Sequence, residues 1–258
     1  MPKDFETTGE ITEAGGKLRL YVTADLGAGA SVPADDAQAH YLLHVMRAKP
    51  GMRVSLFNGR HGEWLAEIGT AGKRGVTLSC LKQTAPQAGV PDLWLVFAPV
   101  KKTPSDYLTQ KATELGVCLL QPVMTRRTIV GRINDERMAA NAIEAAEQSG
   151  RLSVPEIRPA VTLEKLLAAW PPERRLYFCD EAGAIATACD ALALAQAAKP
   201  GPAAILTGPE GGFDPAERER LRALPFVTLV TLGPRILRAD TAALAALAIW
   251  QSVAGDFV

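Results

Sequence analysis

The segment Ala203–Glu217 constrains the fold most, because it predicts a buried strand that runs through a glycine loop into a helix. Ala203–Leu206 is a short apolar run bounded by polar residues and glycine, which is typical of a strand buried on both faces of a parallel sheet. Asp214, Pro215 and Glu217 then occupy the N-cap, first and third positions of a predicted helix, where each of these residue types favours a helix start. The segment therefore predicts an α/β unit with a loop at the carboxyl end of its strand.

The loop itself indicates what kind of ligand could bind there. Gly208, Gly211 and Gly212 would let a ligand approach the main chain closely, although the same glycines also suit a tight turn without a ligand. Glu210 stands in the middle of the loop and would repel a polyphosphate, and neither GxxxxGK[ST] nor GxGxxG occurs in the chain. An acidic loop suits a ligand with hydroxyl groups or positive charge, such as a nucleoside that bears a sulfonium.

A second strand and loop follow closely. Phe226–Leu232 is rich in β-branched and apolar residues and predicts another buried strand, which continues into the loop Gly233–Arg238. A long apolar helix is expected from Ala242 to about Val253, with Asp240 or Thr241 as its N-cap, and it must be buried in the core or at a subunit contact. Loops at the carboxyl ends of parallel strands face a common crevice, so the two loops predict one pocket.

The rest of the chain predicts two domains. The N-terminal part shows short strands of the kind found in a small β-barrel, with one helix between them; the strands are 18–22, 53–57, 63–68 and 76–81, and the helix is 37–47. Residues 85–91 form the best linker candidate. Beyond it, strands 93–98, 117–123 and 176–179 alternate with helices 104–115, 136–149 and an Ala-rich stretch, 182–198. That alternation predicts a parallel sheet with helices on both faces.

Composition narrows the function classes. The chain of 258 residues is 48% hydrophobic and has a formal net charge of zero, but its charge is uneven: Gln38–Thr84 carries seven Lys or Arg against two acids. Such a local excess favours contact with a phosphate backbone. The sequence has no apolar run long enough to span a membrane and no secretory leader, so a cytoplasmic protein is expected. The four cysteines lack metal-ligand spacing, so no metal is expected.

Two motifs in order resemble the signature of the 16S ribosomal RNA uridine-N3 methyltransferases, a family of the SPOUT class. They are Gly208–Phe213 and Leu232–Ala242, and three further stretches agree with them: His40–Arg47, Gln110–Val117 and Ala145–Arg151. The chain departs from the family where Ala239-Asp240 replaces Thr-Glu and where His40-Tyr41 replaces a pair of histidines. Residues 1–16 have no counterpart in the family and are expected to be a disordered extension.

The resemblance implies an α/β fold whose C-terminal domain, residues 88–258, is a trefoil-knotted parallel-sheet SPOUT domain, preceded by a PUA-like RNA-binding β-barrel over residues 1–87. It implies transfer of a methyl group from S-adenosylmethionine to N3 of a uridine in the decoding region of 16S rRNA in the small ribosomal subunit, by a homodimer. A non-catalytic RNA-binding assembly protein and a doubly wound enzyme acting on free nucleotides are the alternatives.

The candidate site residues follow from the two loops and from the resemblance. Arg238 is the first choice for stabilising a uridine anion, or else a salt-bridge partner of Asp240 or Glu210; Glu210 is a candidate base or a cofactor ligand. The cofactor is expected to contact Thr207, Gly208, Pro209, Glu210, Gly211, Leu232, Gly233, Ile236, Leu237 and Thr241. RNA contacts are expected from Arg47, Lys101, Arg126 and Arg127, whereas His40 and His44 are expected to be ordinary histidines without a catalytic role.

Overall fold

Residues 18–72, 75–100, 102–131, 133–180, 201–233 and 235–257 are described by a computed structural model. Three sequence predictions fall outside these residues: the N-terminal extension, the Ala-rich helix over 182–198 and the RNA contact of Lys101. The chain divides into two units, one comprising the described residues up to Gly89 together with Ala146–Val154, and the other the rest.

The N-terminal unit is built on a five-stranded mixed sheet. Its strands are β1 (Arg19–Tyr21), β2 (Ser31–Pro33), β3 (Arg53–Phe57), β4 (Glu63–Gly72) and β5 (Gly75–Ala85). The strand order is β1-β3-β4-β5-β2, with β1 parallel to β3 and the other neighbours antiparallel. In β5 alternate side chains are buried, as expected for a sheet with one face on a core. The predicted N-terminal β structure is thus confirmed as a five-stranded mixed sheet. Strand β2 was not predicted, because three residues give no usable periodicity.

One short helix of this unit changes geometry along its length. Helix α1 (Asp36–His40) begins with a capping box, in which the Asp35 carboxylate accepts from the Gln38 amide. It continues into a wider π-type turn over Tyr41–Val45, and Arg47 after it has φ of +51°. Non-glycine residues rarely adopt that conformation, so the segment is held in a strained turn.

The C-terminal unit contains an entirely parallel sheet. Its strands are β6 (Leu93–Phe97), β7 (Leu119–Met124), β8 (Glu156–Ile157), β9 (Val161–Thr162), β10 (Arg175–Cys179), β11 (Ala203–Thr207) and β12 (Val227–Val230). They run in the order β12-β10-β11-β6-β7-β8, and β9 also pairs with β7. The helices are α2 (Lys102–Glu114), α3 (Asp135–Ser149), α4 (Leu163–Ala168), α5 (Pro215–Arg222) and α6 (Ala239–Ala254).

Two hydrophobic cores lie on the two faces of this sheet. Along the fully buried β6, Leu93 and Leu95 join one core with residues of α2 and α6, whereas Trp94 and Val96 join the other with residues of α4 and α5. Strands buried on both faces read as continuous apolar runs, which is why the sequence predicts them well. The predicted parallel sheet with helices on both faces is confirmed.

The last helix starts earlier than predicted. Its N-cap is Arg238, which makes no side-chain capping bond, so the predicted caps Asp240 and Thr241 are wrong. The Asp240 carboxylate instead accepts from the neighbouring Thr241 amide at 2.7 Å within the first turn, where negative charge is favoured by the helix dipole. One face of α6 is buried in the core, and its remaining apolar residues are half-buried. Among the described helices, none has the length and apolarity that crossing a membrane requires.

Candidate functional site

Three neighbouring parallel strands, β12, β10 and β11, end beside a cavity of about 420 Å³. The carboxyl edge of a parallel sheet is where ligands of α/β proteins bind, and this volume suits a small organic molecule. The cavity is lined by Cys179, Asp180, Thr207, Gly208, Pro209, Glu210, Gly212, Phe213, Arg218, Val230, Thr231, Leu232, Gly233, Arg235, Ile236, Leu237, Arg238, Ala239 and Ala242. Both loops predicted from the sequence therefore reach one pocket.

The first loop is fixed by close packing at Gly208. A Cβ at this position would lie 2.6 Å from a ring carbon of Phe213, so glycine is required by space. Phe213 is itself buried and packs edge-on against Phe178, with ring centroids 4.9 Å apart. Gly212 has φ of +65°, and its amide donates to the Pro209 carbonyl at 2.8 Å. The loop is thus a defined wall of the cavity.

Helix α5, which follows this loop, starts as the sequence predicts. Asp214 is the N-cap, its carboxylate accepts from the Ala216 amide, and Glu217 completes a capping box. The hydrogen bond from the Ala216 amide lowers the pKa of Asp214 below its ordinary value, and the hydrogen bond from the Arg126 guanidinium lowers it further. The local capping pattern predicted this helix start, and the prediction is confirmed.

Arg126 and Arg127 hold the same loop from the end of β7. The Arg126 guanidinium donates to the Asp214 carboxylate at 2.9 Å and its backbone amide donates to Glu217. The Arg127 guanidinium donates to the Gly211 carbonyl at 3.0 Å. The sequence assigns both arginines to RNA, and their contacts here link the β7 loop to the glycine loop.

The second loop brings Arg238 towards Glu210. Gly233 has φ of +100°, a conformation that favours glycine, and Ile236 is 82% exposed although it lines the cavity. A smaller cavity of about 20 Å³, enough for one water molecule, lies among Val100, Glu210, Arg238, Ala239 and Asp240. Within the described part of the chain, Arg238 forms no ion pair with Glu210 or Asp240, so the predicted salt bridge is not formed.

A buried carboxylate at the end of β10 was missed by sequence reasoning. The Asp180 side chain is 1% exposed and pairs with Arg218 at 3.1 Å and with Arg222 at 2.7 Å, both on α5. Its backbone amide donates to the Val230 carbonyl of β12. Asp180 therefore ties three elements together beside the cavity; the i, i+4 arginine pair on α5 was the only sequence signal.

Cys179 lines the cavity in the protonated form at neutral pH. Burial raises the pKa of its thiol to about 12, because the thiolate would lose its hydration. A nucleophilic or metal-binding thiolate is therefore not favoured at this position. In the described ranges, no group of three or more His, Cys, Asp or Glu side chains is placed to bind a metal ion.

Most of the predicted site residues meet at this pocket. Both candidate catalytic residues, Glu210 and Arg238, line it, and so do eight predicted cofactor contacts: Thr207, Gly208, Pro209, Glu210, Leu232, Gly233, Ile236 and Leu237. Gly211 and Thr241 do not line it. Arg47 lies in the N-terminal unit, exposed on the strained turn. Chemically, the pocket offers two carboxylates, Asp180 and Glu210, together with arginines, main-chain groups and apolar walls, to an organic ligand.

Comparison with known proteins identifies the family. Residues 88–251 match the family model of an RNA methyltransferase domain, and residues 34–79 match that of an RNA methyltransferase PUA domain. The chain belongs to this family of RNA methyltransferases. Among relatives, the ribosomal RNA small subunit methyltransferase E of Rickettsia conorii is 31% identical over 231 residues, which is 89% of this chain and 93% of that protein.

Solved structures of relatives share the fold of this methyltransferase. A methyltransferase of Legionella pneumophila in complex with the cofactor SAM has a TM-score of 0.82 and 27% identity over 93% of this chain and 99% of that one. The ribosomal RNA small subunit methyltransferase E of Neisseria gonorrhoeae, bound to S-adenosylmethionine, has a TM-score of 0.81 and 29% identity with the same coverage. Both relatives were crystallised with the ligand class that the acidic loop favours.

Proposed function

We propose that this chain transfers a methyl group from S-adenosylmethionine to N3 of a uridine in the decoding region of 16S rRNA in the small ribosomal subunit. The observation that carries the proposal is the cavity at the ends of β10, β11 and β12, with Glu210 and Arg238 together on its wall. Two relatives that cover 93% of this chain are named as complexes with that cofactor, which supports its assignment here.

The pocket suits the donor chemically. S-adenosylmethionine supplies an electrophilic methyl group on a positively charged sulfur, so it needs positioning and a site poor in water rather than a metal. With the cofactor bound, Glu210 would offer a negative charge to the sulfonium or hydrogen-bond acceptors to the ribose hydroxyls. Leu232, Ile236 and Leu237 provide apolar surface for a base, and the main chain at the two loops provides donors and acceptors.

The acceptor sets the harder chemical requirement. Uridine N3 carries a proton at neutral pH, so the proton must be removed while negative charge spreads onto O2 and O4. Arg238 is exposed on the cavity wall, which supports a role in stabilising that charge, and Glu210 on the same wall is our candidate for accepting the proton. Glu210 thus has two candidate roles, base and cofactor ligand, which make different kinetic predictions.

We test the function with tritiated S-adenosylmethionine and three acceptors: small ribosomal subunits, free 16S rRNA and free uridine nucleotides. We expect label in the RNA, and N3-methyluridine after nuclease digestion and mass spectrometry. Methylation at another uridine atom would overturn the N3 assignment. Methylation of free nucleotides alone would favour a nucleotide enzyme. RNA binding without cofactor binding would favour a non-catalytic assembly protein.

The variant Glu210→Gln separates the two candidate roles of Glu210, and Arg238→Met tests anion stabilisation by Arg238. If Glu210 is the base, its variant should lower kcat by about 10²- to 10⁴-fold while the Kd for the cofactor changes little. If Glu210 is a cofactor ligand, the Kd rises and kcat at saturating cofactor is kept. Arg238→Met should lower kcat without weakening cofactor binding, because the anion exists only during the reaction.

The resemblance extends the proposal to assembly and location. We propose a PUA-like RNA-binding domain over residues 1–87, a trefoil-knotted methyltransferase domain over residues 88–258, and a homodimer. The half-buried apolar residues of α6 support a subunit contact, and light scattering at micromolar concentration tests it. The proposed substrate, a ribosomal subunit, implies a cytoplasmic location.

A further inference from the structure

An exposed surface of the N-terminal unit carries rings and apolar side chains that no core uses. Tyr41, Val45 and Met46 are 38%, 60% and 40% exposed, and His40 and His44 beside them are exposed as well. We call these five residues the ring surface. Exposed apolar groups scattered singly need no explanation, but three of them beside two exposed histidine rings on one short segment indicate a contact site.

The backbone presents these side chains in one direction. Tyr41 and Val45 are four residues apart on the π-type turn, and the Met46 amide donates to the Tyr41 carbonyl at 3.0 Å. The rings of His40 and His44 lie 4.7 Å apart at an interplanar angle of 41°. These relationships group the five side chains on one turn, with the two histidine rings in contact.

The turn is held by the core beneath it. Leu42 is fully buried, and its carbonyl accepts from the Ala48 amide at 2.8 Å across the strained residue Arg47. π-Type turns and left-handed non-glycine residues concentrate at functional sites, because the surrounding structure must offset their strain. The strain here maintains a shape that leaves the rings outside.

The charges that follow the ring surface along the chain favour one kind of partner. The segment His40–Arg53 contains Arg47, Lys49 and Arg53 and no carboxylate. All three cations are exposed, and among the described residues none of them forms an ion pair. The Met52 side chain lies beside Lys49, since the Lys49 amide donates to the Met52 sulfur at 3.2 Å. Exposed rings interleaved with unpaired cations are the pattern that binds single-stranded nucleic acid.

We propose that the ring surface stacks unpaired bases of single-stranded RNA, while Arg47, Lys49 and Arg53 contact the adjoining phosphates. The proposal rests on the proposed function for its RNA substrate and adds where and how that RNA is held. Single-stranded RNA is favoured over a duplex because stacking on side chains requires splayed bases. It is favoured over contact between two identical surfaces because the cations that follow the rings have no acidic counterpart between His40 and Arg53.

The test measures binding of a short fluorescein-labelled single-stranded RNA by fluorescence anisotropy at several salt concentrations. Tyr41→Ala should weaken binding about five- to 150-fold and leave the salt dependence unchanged, because it removes stacking only. Arg47→Met should weaken binding and lower the slope of log K against log salt by about 0.7, the value for one phosphate contact to a single strand. Tyr41→Phe should retain most of the wild-type affinity.

Tyr107→Ala is the matched control, because Tyr107 is also exposed, at 45%, but lies on α2 in the other unit. The proposal is overturned if Tyr41→Ala binds the RNA as wild type does, if Tyr107→Ala weakens binding equally, or if wild type prefers the duplex of the same sequence. A change in oligomeric state with unchanged RNA affinity would assign the surface to a second copy instead.

The outcomes also separate this proposal from the proposed function. A chain that binds the single strand through Tyr41 but transfers no methyl group refutes the methyltransferase activity and leaves the ring surface standing. If the Tyr41→Ala variant methylates small subunits with the KM of wild type, the methyltransferase activity stands and RNA binding by the ring surface is refuted. A wild-type chain that binds neither the short single strand nor small ribosomal subunits refutes both.

Discussion

The Arg127 guanidinium donates a hydrogen bond to the Gly211 carbonyl across 84 residues of sequence, at 3.0 Å. Gly211 lies between Glu210 and Gly212, which both line the cavity. This bond therefore positions a wall of the pocket from the end of a different strand. We therefore expect Arg127 to support cofactor binding, separately from any contact with RNA.

Replacing Arg127 by methionine tests that role. Loss of one hydrogen bond should raise the Kd for S-adenosylmethionine about two- to tenfold, since such a bond contributes about 0.5–1.5 kcal/mol. Thermal stability should change little, because the side chain is on the surface. Isothermal titration measures the Kd and differential scanning calorimetry the thermal stability.

Arg220→Met on α5 is the control, with a side chain 48% exposed and its carboxylate partner 3.6 Å away. A weaker affinity for RNA with unchanged cofactor affinity would contradict the positioning role.

Two glycines of the first loop should respond differently to the same substitution. Gly208→Ala places a Cβ 2.6 Å from the Phe213 ring, so we expect a loss of about 1–3 kcal/mol of unfolding free energy and weaker cofactor binding. Gly211→Ala meets its nearest atom, the Arg127 Cβ, at 3.8 Å, an ordinary contact, so stability should be kept. Urea denaturation measures both variants, and an equal loss in both would contradict this account of the loop.

The strand–loop–helix unit at Ala203–Glu217 could be predicted from sequence because its signals are local. A capping box spans three residues, and a buried strand shows itself as a continuous apolar run. The contacts of Arg126 and Arg127 could not be predicted, because they join positions 84 to 91 residues apart. Charge alone suggested RNA for these two residues, since sequence does not show which carbonyl or carboxylate will face an arginine.

The start of α6 shows a different limit. Asp240 and Thr241 are residue types that favour an N-cap, but the helix begins at Ala239 because tertiary packing decides where the turn closes.

The ion pairs of Asp180 could not be predicted from sequence for a related reason. A single aspartate after a strand has no pattern of its own, and its importance comes from two arginines about 40 residues later, at positions 218 and 222.

Asp180→Asn should destabilise the C-terminal unit strongly. The substitution keeps the volume of the side chain and removes the charge that faces Arg218 and Arg222. Breaking a buried ion pair costs about 3–5 kcal/mol; because the two arginines are 20% and 28% exposed, we expect about 2–4 kcal/mol. Arg222→Met should cost less, since Asp180 keeps Arg218. Urea denaturation tests both, and an Asn variant within 0.5 kcal/mol of wild type, the range of ordinary surface substitutions, would contradict this role.

Cys179 gives a prediction about pH. Burial raises its folded-state pKa from the ordinary value of 9.0 to about 12, so the folded protein favours the protonated thiol. Below about pH 9 this preference contributes fully to stability; above it the unfolded chain ionises first, and the contribution falls by about 1.4 kcal/mol per pH unit until the folded thiol also ionises. The unfolding free energy of wild type minus that of Cys179→Ala, measured in urea at intervals above pH 9, should therefore decrease with pH.

Iodoacetamide at pH 8 should label Cys179 in urea but not in the folded protein. A difference that stays flat with pH, or rapid labelling of the folded protein, would show that the thiol is solvated and able to ionise beside the cavity.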